Sequence, residues 1–392
     1  IHNATRGDFY PSVDGQHLGE SQGVLLATVR ENGRANNYPD TDTKYAIATT
    51  PTTGGEYRVS TYWSTIPSWP GEFNVDTAAA YFPFSAGWSG GRAWNAGNNL
   101  EMAHVAASPD IVLNVNFFDV ASPAGQYTLS LKKNGGADDV DARKDGIVFA
   151  NGGKDENNFA AAGPAADGSH FILQTHDDYG GGNENDPITF AYIPYDTPGV
   201  PMGRVSGVGG LYNRSAEFNI RREAAGTFRL TIPGESPTSG VLLLTPDSTS
   251  AARDNILSYA ADGSDFIIEQ REIDSGVVPY LNNVGNAPAF SFAFMPFDNP
   301  PAAPGVRNFD PGSQLAAANL SVTEYGSGDA GENLRVEVTG ETGHLTVPTW
   351  TKGDYNIYQN GAPLDGSAGV LLSSVAQNGR DNGGGTKYAT SS

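Results

Sequence analysis

Three short motifs recur along this chain in the same order, and this repetition constrains the fold more than any other feature of the sequence. The first motif is Gly-x-aromatic followed by Gly and an aliphatic run, as in GQYTL then GIVF and in GTFRL then GVLLL. The second is ADGS followed by an apolar strand, and the third is an aromatic-rich strand that ends in proline, FAYIP or FAFMP. Recurrence in a fixed order predicts one structural unit that the chain repeats.

Both ends of the chain carry partial copies of this unit. GDFY and GVLL, which start at Gly7 and Gly23, have the same spacing as GDYN and GVLL, which start at Gly353 and Gly369. The first copy lacks an opening strand, whereas the last copy has that strand at residues 334–340 but stops before its ADGS and proline-terminated strands. Two interpretations are open: the partial units associate head to tail between protomers, or the sequence is an excerpt of a longer array.

The segments between turn-forming residues have the composition of β-strands. Runs such as IVLNVNFF, YTLSL, FRLTI and FIIEQRE are rich in β-branched and aromatic residues and are bounded by Gly, Asn, Asp and Pro. The sequence therefore predicts an all-β protein of tandem antiparallel β-sandwich or jelly-roll-like repeats, joined by short Pro- and Gly-rich linkers. The predicted units are residues 1–100, which are Trp-rich and lack an opening strand, residues 101–199, residues 204–300, and the C-terminally incomplete residues 306–392.

Charge and composition argue against several classes of function. The 23 basic and 44 acidic residues give a net charge of -21, which repels phosphate backbones and anionic membrane surfaces and disfavours nucleic-acid partners. The chain has no cysteine, and no apolar run approaches the roughly 20 residues that would cross a bilayer. We expect a secreted, extracellular or cell-surface protein that does not insert into a membrane.

Two motif matches that could indicate enzymes lack the structural context that they need. Ser89 lies in a G-x-S-x-G pattern with His104 and Asp110 downstream, but a loop-forming sequence follows Ser89, and the residue order is not that of a nucleophile elbow. GSGDAG at residues 326–331 precedes a strand instead of the helix that a dinucleotide site requires. The sequence therefore favours a protein without catalytic residues or an organic cofactor.

Carboxylates cluster in several Gly- and Asn-rich turns. Hard oxygen ligands of this kind are those that Ca²⁺ prefers, although no cluster fits the EF-hand pattern. Calcium that holds these loops is one hypothesis, and solvated turn residues are the simpler alternative. The candidate ligands are Asp40, Asp42, Asp155, Asp177, Asp178 and Asp186.

Four of the five tryptophans lie between residues 63 and 94. Aromatic side chains displayed on loops beside Asn, Asp and Arg form sugar-stacking platforms or protein interfaces, whereas a first unit larger than its sisters would need these rings for its core. The candidate ligand-binding or interface residues are Trp63, Trp69, Trp88, Trp94 and Tyr62.

Taken together, these features predict a structural or adhesive β-repeat protein that assembles with copies of itself, head to tail, into a fibre or array. The alternative is a secreted protein that binds or degrades polysaccharide through the Trp-rich region. A groove lined by the tryptophans and holding two carboxylates would favour the alternative, whereas burial of the tryptophans in a core would favour assembly.

Overall fold

The chain folds almost entirely into β-strands, which confirms the predicted all-β class. The computed structural model describes residues 2–5, 8–13, 16–30, 45–52, 54–63, 71–72, 75–96, 99–102, 111–114, 126–133, 138–153, 158–176, 186–248, 255–272, 280–281, 288–298, 316–324, 334–341, 349–351, 354–356, 358–359 and 362–363. Within these ranges the single helical element is the 3-10 helix Phe84–Ala86, and no helix is long and apolar enough to cross a membrane.

The strands follow one another along the chain without intervening α-helices in the described ranges. The first eighteen are β1 His2–Thr5, β2 Asp8–Tyr10, β3 Ser12–Val13, β4 Gln16–His17, β5 Gly23–Val29, β6 Tyr45–Pro51, β7 Tyr57–Trp63, β8 Gly71–Glu72, β9 Thr77–Pro83, β10 Ser89–Ala96, β11 Asn99–Met102, β12 Ile111–Asn114, β13 Gln126–Lys133, β14 Asp138–Asp139, β15 Gly146–Gly152, β16 Phe159–Pro164, β17 Phe171–His176 and β18 Ile188–Pro194. The others are β19 Met202–Val205, β20 Leu211–Arg214, β21 Asn219–Ala224, β22 Thr227–Thr231, β23 Gly240–Pro246, β24 Asn255–Asp262, β25 Asp265–Glu272, β26 Tyr280–Leu281, β27 Phe290–Pro296, β28 Ala316–Glu324, β29 Leu334–Glu341, β30 Thr349–Thr351, β31 Asp354–Asn356, β32 Tyr358–Gln359 and β33 Ala362–Pro363.

These strands form several mostly antiparallel sheets. One nine-stranded sheet has the order β1-β2-β7-β6-β15-β18-β10-β11, with β8 beside β7, and the other has the order β21-β22-β25-β24-β5-β9-β28-β29, with β26 beside β25. A five-stranded sheet has the order β12-β13-β17-β16, with β14 beside β13, and a four-stranded sheet has the order β20-β19-β27-β23. The parallel contacts among the described strands join β6 to β15 and β5 to β24.

Three antiparallel strand pairs share one register and form the centre of the molecule. They are β5 with β9, β15 with β18, and β23 with β27, and we call them the three ladders. In each ladder a glycine at the start of the first strand lies opposite the proline that ends the second; the pairs are Gly23 with Pro83, Gly146 with Pro194, and Gly240 with Pro296. All seven residues of each of the six strands are buried, which explains why their sequences are continuous apolar runs with little alternation.

The first glycine of each ladder makes room for an aromatic ring of the partner strand. A Cβ atom at Gly240 would lie 2.3 Å from the Phe294 ring and 2.4 Å from the Met295 carbonyl oxygen. A Cβ at Gly23 or Gly146 would come equally close to the partner strand, to Tyr81 at 2.5 Å and to Tyr192 at 2.6 Å. Because one of the two obstacles is backbone, the strand pair itself would have to shift to accept a side chain.

We therefore expect Gly240→Ala to destabilise the protein by about 1–3 kcal/mol through overpacking. The free energy of unfolding in urea measures the effect. Gly54→Ala is the matched control, because the nearest atom to its added Cβ is Thr52 Oγ1 at 3.7 Å. Equal stability of the two variants would contradict the close packing at Gly240.

The ladders pack against one another, and their outer faces pack against the remaining strands. In β15 the side chains of Ile147 and Phe149 belong to a central core that also contains residues of the other two ladders. Val148 and Ala150, which point to the opposite face, belong to a second core shared with β13, β16 and β17. The central core thus combines residues from three of the predicted units, and the predicted division of the chain into separate units stays a prediction.

Tyr259 of β24 is fully buried in the central core. Burial raises the pKa of its phenol to about 12, against the opposing positive charge of Arg30. The unfolded chain releases this proton near pH 10, whereas the folded protein keeps it up to about pH 12. The free energy of unfolding is therefore unaffected by this phenol below pH 10 and decreases as the pH rises from about 10 to about 12. Between about pH 9 and about pH 11, the free energy of unfolding of Tyr259→Phe should therefore decrease by about 1.4 kcal/mol less than that of the parent protein.

Urea unfolding at the two pH values tests this expectation. Tyr212→Phe is the control, because the Tyr212 side chain is 61% exposed. Equal alkaline losses in the parent protein and Tyr259→Phe would contradict the burial of this phenol.

The repeated ADGS motif forms the turn between two neighbouring strands in both copies. Gly168 has φ +81° in the turn between β16 and β17, and Gly263 has φ +62° in the turn between β24 and β25. Glycine adopts these left-handed angles without the steric cost that a Cβ imposes. The phenylalanine that follows each turn, Phe171 or Phe266, is buried, so the motif supplies one turn and the start of one core strand.

Candidate functional site

The most distinctive part of the structure is the edge of the first ladder, at β9. This strand pairs with β5 on one side over Thr77–Pro83, and its side chains are buried. Its other side pairs with β28, a strand from the far C-terminal part of the chain, with Ala79 opposite Ala318 and Thr77 opposite Leu320. We call this side of β9 the acceptor edge and the β28–β29 pair the donor strands.

The donor strands complete the acceptor edge in the way that other strands complete the other two ladders. Strand β18 of the second ladder receives β10, which itself pairs with β11. Strand β27 of the third ladder receives β19, which pairs with β20. A buried strand with an open edge would leave its N–H and C=O groups unpaired, so each ladder needs such a partner.

Strand β1 precedes Gly7 and pairs with β2, so the described chain has a strand where the sequence predicts that the first unit lacks one. What the last predicted unit supplies is the β28–β29 pair beside β9. Here the pairing is made within one chain, whereas the sequence predicts it between protomers.

The predicted aromatic site is only partly within the described residues. Trp69 lies outside them, and Trp63 and Trp94 are described as backbone positions in β7 and β10 without their side chains. Tyr62 is buried and packs against Ala48. A role of these residues in glycan stacking or in an interface stays a prediction.

Trp88 has a clear structural role in the central core. Its side chain is 1% exposed and its ring meets Phe82 of β9 edge to face, with ring centroids 5.2 Å apart. A ring packed in this way has no accessible face on which a sugar could stack. Ser89, next along the chain, is buried and begins strand β10 instead of a helix, so the context of a nucleophile elbow is absent at this position.

The predicted calcium ligands lie almost entirely outside the described residues. This applies to Asp40, Asp42, Asp155, Asp177 and Asp178. Asp186 is buried, its side chain accepts a hydrogen bond from the Asn158 amide, and its backbone carbonyl accepts one from the Tyr127 hydroxyl at 2.7 Å. The described ranges contain no group of three or more His, Asp or Glu side chains placed to bind a metal ion, and the calcium hypothesis stays a prediction.

A buried ion pair that the sequence analysis did not find joins two parts of the fold. Asp247, at the end of β23, is 2% exposed and accepts a hydrogen bond from Arg204 Nε of β19 at 2.9 Å and a second from the same guanidinium. The carboxylate fits here because residue 163 of β16 is glycine: a Cβ at Gly163 would lie 2.1 Å from Asp247 Oδ1. The guanidinium also stacks on Tyr212, 4.6 Å from the ring centroid. A single Arg and a single Asp, 43 positions apart, form no sequence motif.

The three ladders are held together by side chains that bond to the backbone of the neighbouring ladder. Asn151 of β15 donates to the Ala27 carbonyl oxygen at 2.9 Å and accepts from the Ala27 N–H at 2.7 Å. Thr28 of β5 accepts from the Leu244 N–H of β23 at 3.1 Å. These residues border a pocket of about 380 Å³, including its open mouth, where the ladders meet. Since both polar ends of the Asn151 amide are engaged, the group acts as a structural connection here.

No family model, no curated protein and no solved structure matches this chain. The function must therefore be argued from the strand pairings and contacts of the chain itself.

Proposed function

We propose that the chain is a secreted or cell-surface structural and adhesive protein, built from tandem β-sandwich units that associate head to tail into a fibre or array. The observation that carries this proposal is the acceptor edge on β9, which is completed only by β28 and β29 from the other end of the described chain. A unit that needs strands from elsewhere is a natural point of contact between copies.

The repetition of strand order supports the division into equivalent units. Strands β12-β13-β17-β16 and strands β21-β22-β25-β24 lie in the same order in their sheets. The register also corresponds: Leu129 lies opposite Phe171 in the first set, and Leu230 lies opposite Phe266 in the second. Both pairs derive from the GQYTL and GTFRL motifs, so equal sequence positions occupy equal positions in the sheets.

The location of apolar residues supports a sandwich-like arrangement of each unit. The second core lies between the second ladder and strands β13, β16 and β17, and contains Leu129, Phe171 and Phe190. Two sheets that face each other across an apolar layer are the elements of a sandwich. The other face of the same ladder contributes to the central core, which links that unit to its neighbours.

Light scattering and electron microscopy of the intact chain over a wide range of concentration test the assembly. We expect a mass that increases with concentration and elongated particles at high concentration, because a heterologous contact that does not close on itself propagates. A strictly monomeric, compact particle at every concentration would overturn the proposal.

A further inference from the structure

The path of the chain between ladders follows one rule. After the last strand of the first ladder, residues 84–88 lead to β10 and β11, which complete the second ladder. After the last strand of the second ladder, residues 195–201 lead to β19 and β20, which complete the third. Each ladder is thus followed in sequence by the strand pair that completes the next ladder.

The donor strands obey the same rule at the end of the third ladder. After β27, residues 297–315 lead to β28 and β29. The third ladder is the last of the three, so the ladder that these strands complete is the first. In one isolated chain that ladder belongs to the same molecule, and the three ladders close into a ring. In a series of molecules it can equally be the first ladder of the following copy.

The connection between β27 and β28 allows either choice. It is longer than the connections after the first and second ladders and contains four prolines, which favour extended and semi-rigid chain. The 19 residues from 297 to 315, fully extended, have a maximum length of about 60 Å. The ladder contacts of β28 are the same in both arrangements, so concentration decides between them.

We propose that the donor strands β28 and β29 are exchanged between copies of the chain, so that the acceptor edge of one molecule is completed by the donor strands of the next. This inference rests on the proposed head-to-tail assembly and specifies the strand pairing that joins one copy to the next. The partner is a second copy of this chain, whose β28 takes the place that the chain's own β28 occupies on β9 in the structure.

Cysteine pairs placed across the acceptor edge test the exchange directly, because the chain has no cysteine of its own. The test variant carries Ala79→Cys and Ala318→Cys, at positions directly opposite in β9 and β28. The control carries Ala27→Cys and Ala79→Cys, which uses the same acceptor residue but pairs it within the first ladder. A second test variant carries Ala80→Cys and Ala317→Cys, the next opposite pair in the same strands. Opposite residues in an antiparallel pair are alternately closer together and farther apart, and a disulfide forms more readily at the closer spacing. One of the two variants therefore places its cysteines at the closer spacing.

Each variant is refolded from urea at several concentrations, oxidised and separated on a denaturing gel without reductant. For the test variants we expect cross-linked dimers and longer chains, and their ratio to cross-linked monomer is expected to rise about tenfold for a tenfold rise in concentration in the dilute range. The control is expected to give cross-linked monomer at every concentration, because β5 and β9 belong to one ladder.

The outcomes separate this inference from the proposed function. If light scattering shows assembly but the test variants form disulfides only within single chains, the exchange is overturned and another surface makes the fibre. If the chain stays monomeric and all disulfides are internal, the exchange and the head-to-tail assembly are both overturned. Cross-linked oligomers in the test variants alone support the exchange.

Discussion

Replacing Trp88 by alanine is expected to destabilise the protein by about 3–5 kcal/mol, the range for removing a large aromatic side chain from a core. The ring is 1% exposed and packs edge to face on Phe82 of the first ladder, in the core that all three ladders share. Surrounding side chains can collapse only partly into the space that is left. The free energy of unfolding in urea, followed by far-UV circular dichroism, measures the loss.

The control for this experiment is Val208→Ala, at a side chain that is 61% exposed, where a change within about 0.5 kcal/mol is expected. A loss of less than about 0.5 kcal/mol in Trp88→Ala, together with weaker binding to polysaccharide, would instead favour the glycan-binding alternative and contradict the core position. Trp88→Phe should fall between the two variants because it keeps a ring at the contact with Phe82.

The fold class and the position of the ladder strands could be predicted from the sequence, because their signals are local. GVLLL and FAFMP are continuous apolar runs bounded by glycine and proline, and both form strands that are buried on both faces. The ADGS motif similarly predicts a turn, since its glycine takes a positive φ at both Gly168 and Gly263.

The role of Trp88 was not predictable from its neighbours in sequence. Gly, Ser and Asn around it indicate a loop, where an aromatic ring is accessible to a ligand. In the structure Gly90, which follows closely, lets two strands approach, since a Cβ there would lie 2.6 Å from the Phe190 carbonyl oxygen. Gly90 therefore serves close strand packing, and the Trp88 ring lies in the core near it.

The contacts between ladders also could not be predicted from residues that are neighbours in the sequence. Asn151 interrupts an apolar run, and its partner Ala27 lies 124 positions away. The sequence indicates a strand at residues 334–340, which is β29, but it predicts neither strand β28 nor its pairing with β9. Strand β28 lies more than 230 positions after β9 in the sequence, and local patterns do not indicate a pairing over that separation.

The second large effect is expected at the buried ion pair, where Arg204→Met should destabilise the protein by about 3–5 kcal/mol at neutral pH. Removal of the guanidinium takes away the Arg204 charge and its two hydrogen bonds from the Asp247 carboxylate, which is 2% exposed. Methionine keeps most of the packing against neighbouring apolar groups, so the loss of stability reports mainly on the lost ion pair. Urea unfolding of Arg204→Met and of the parent protein measures the difference.

The matched control is Arg221→Met, because that arginine is 64% exposed in its ion pair with Glu223 and should contribute at most about 0.5 kcal/mol. Adding Asp247→Asn to Arg204→Met removes the buried carboxylate charge and should restore part of the lost stability. The coupling free energy from the double-mutant cycle measures the interaction between Arg204 and Asp247. Equal stabilities of Arg204→Met and Arg221→Met would show that Asp247 does not depend on Arg204.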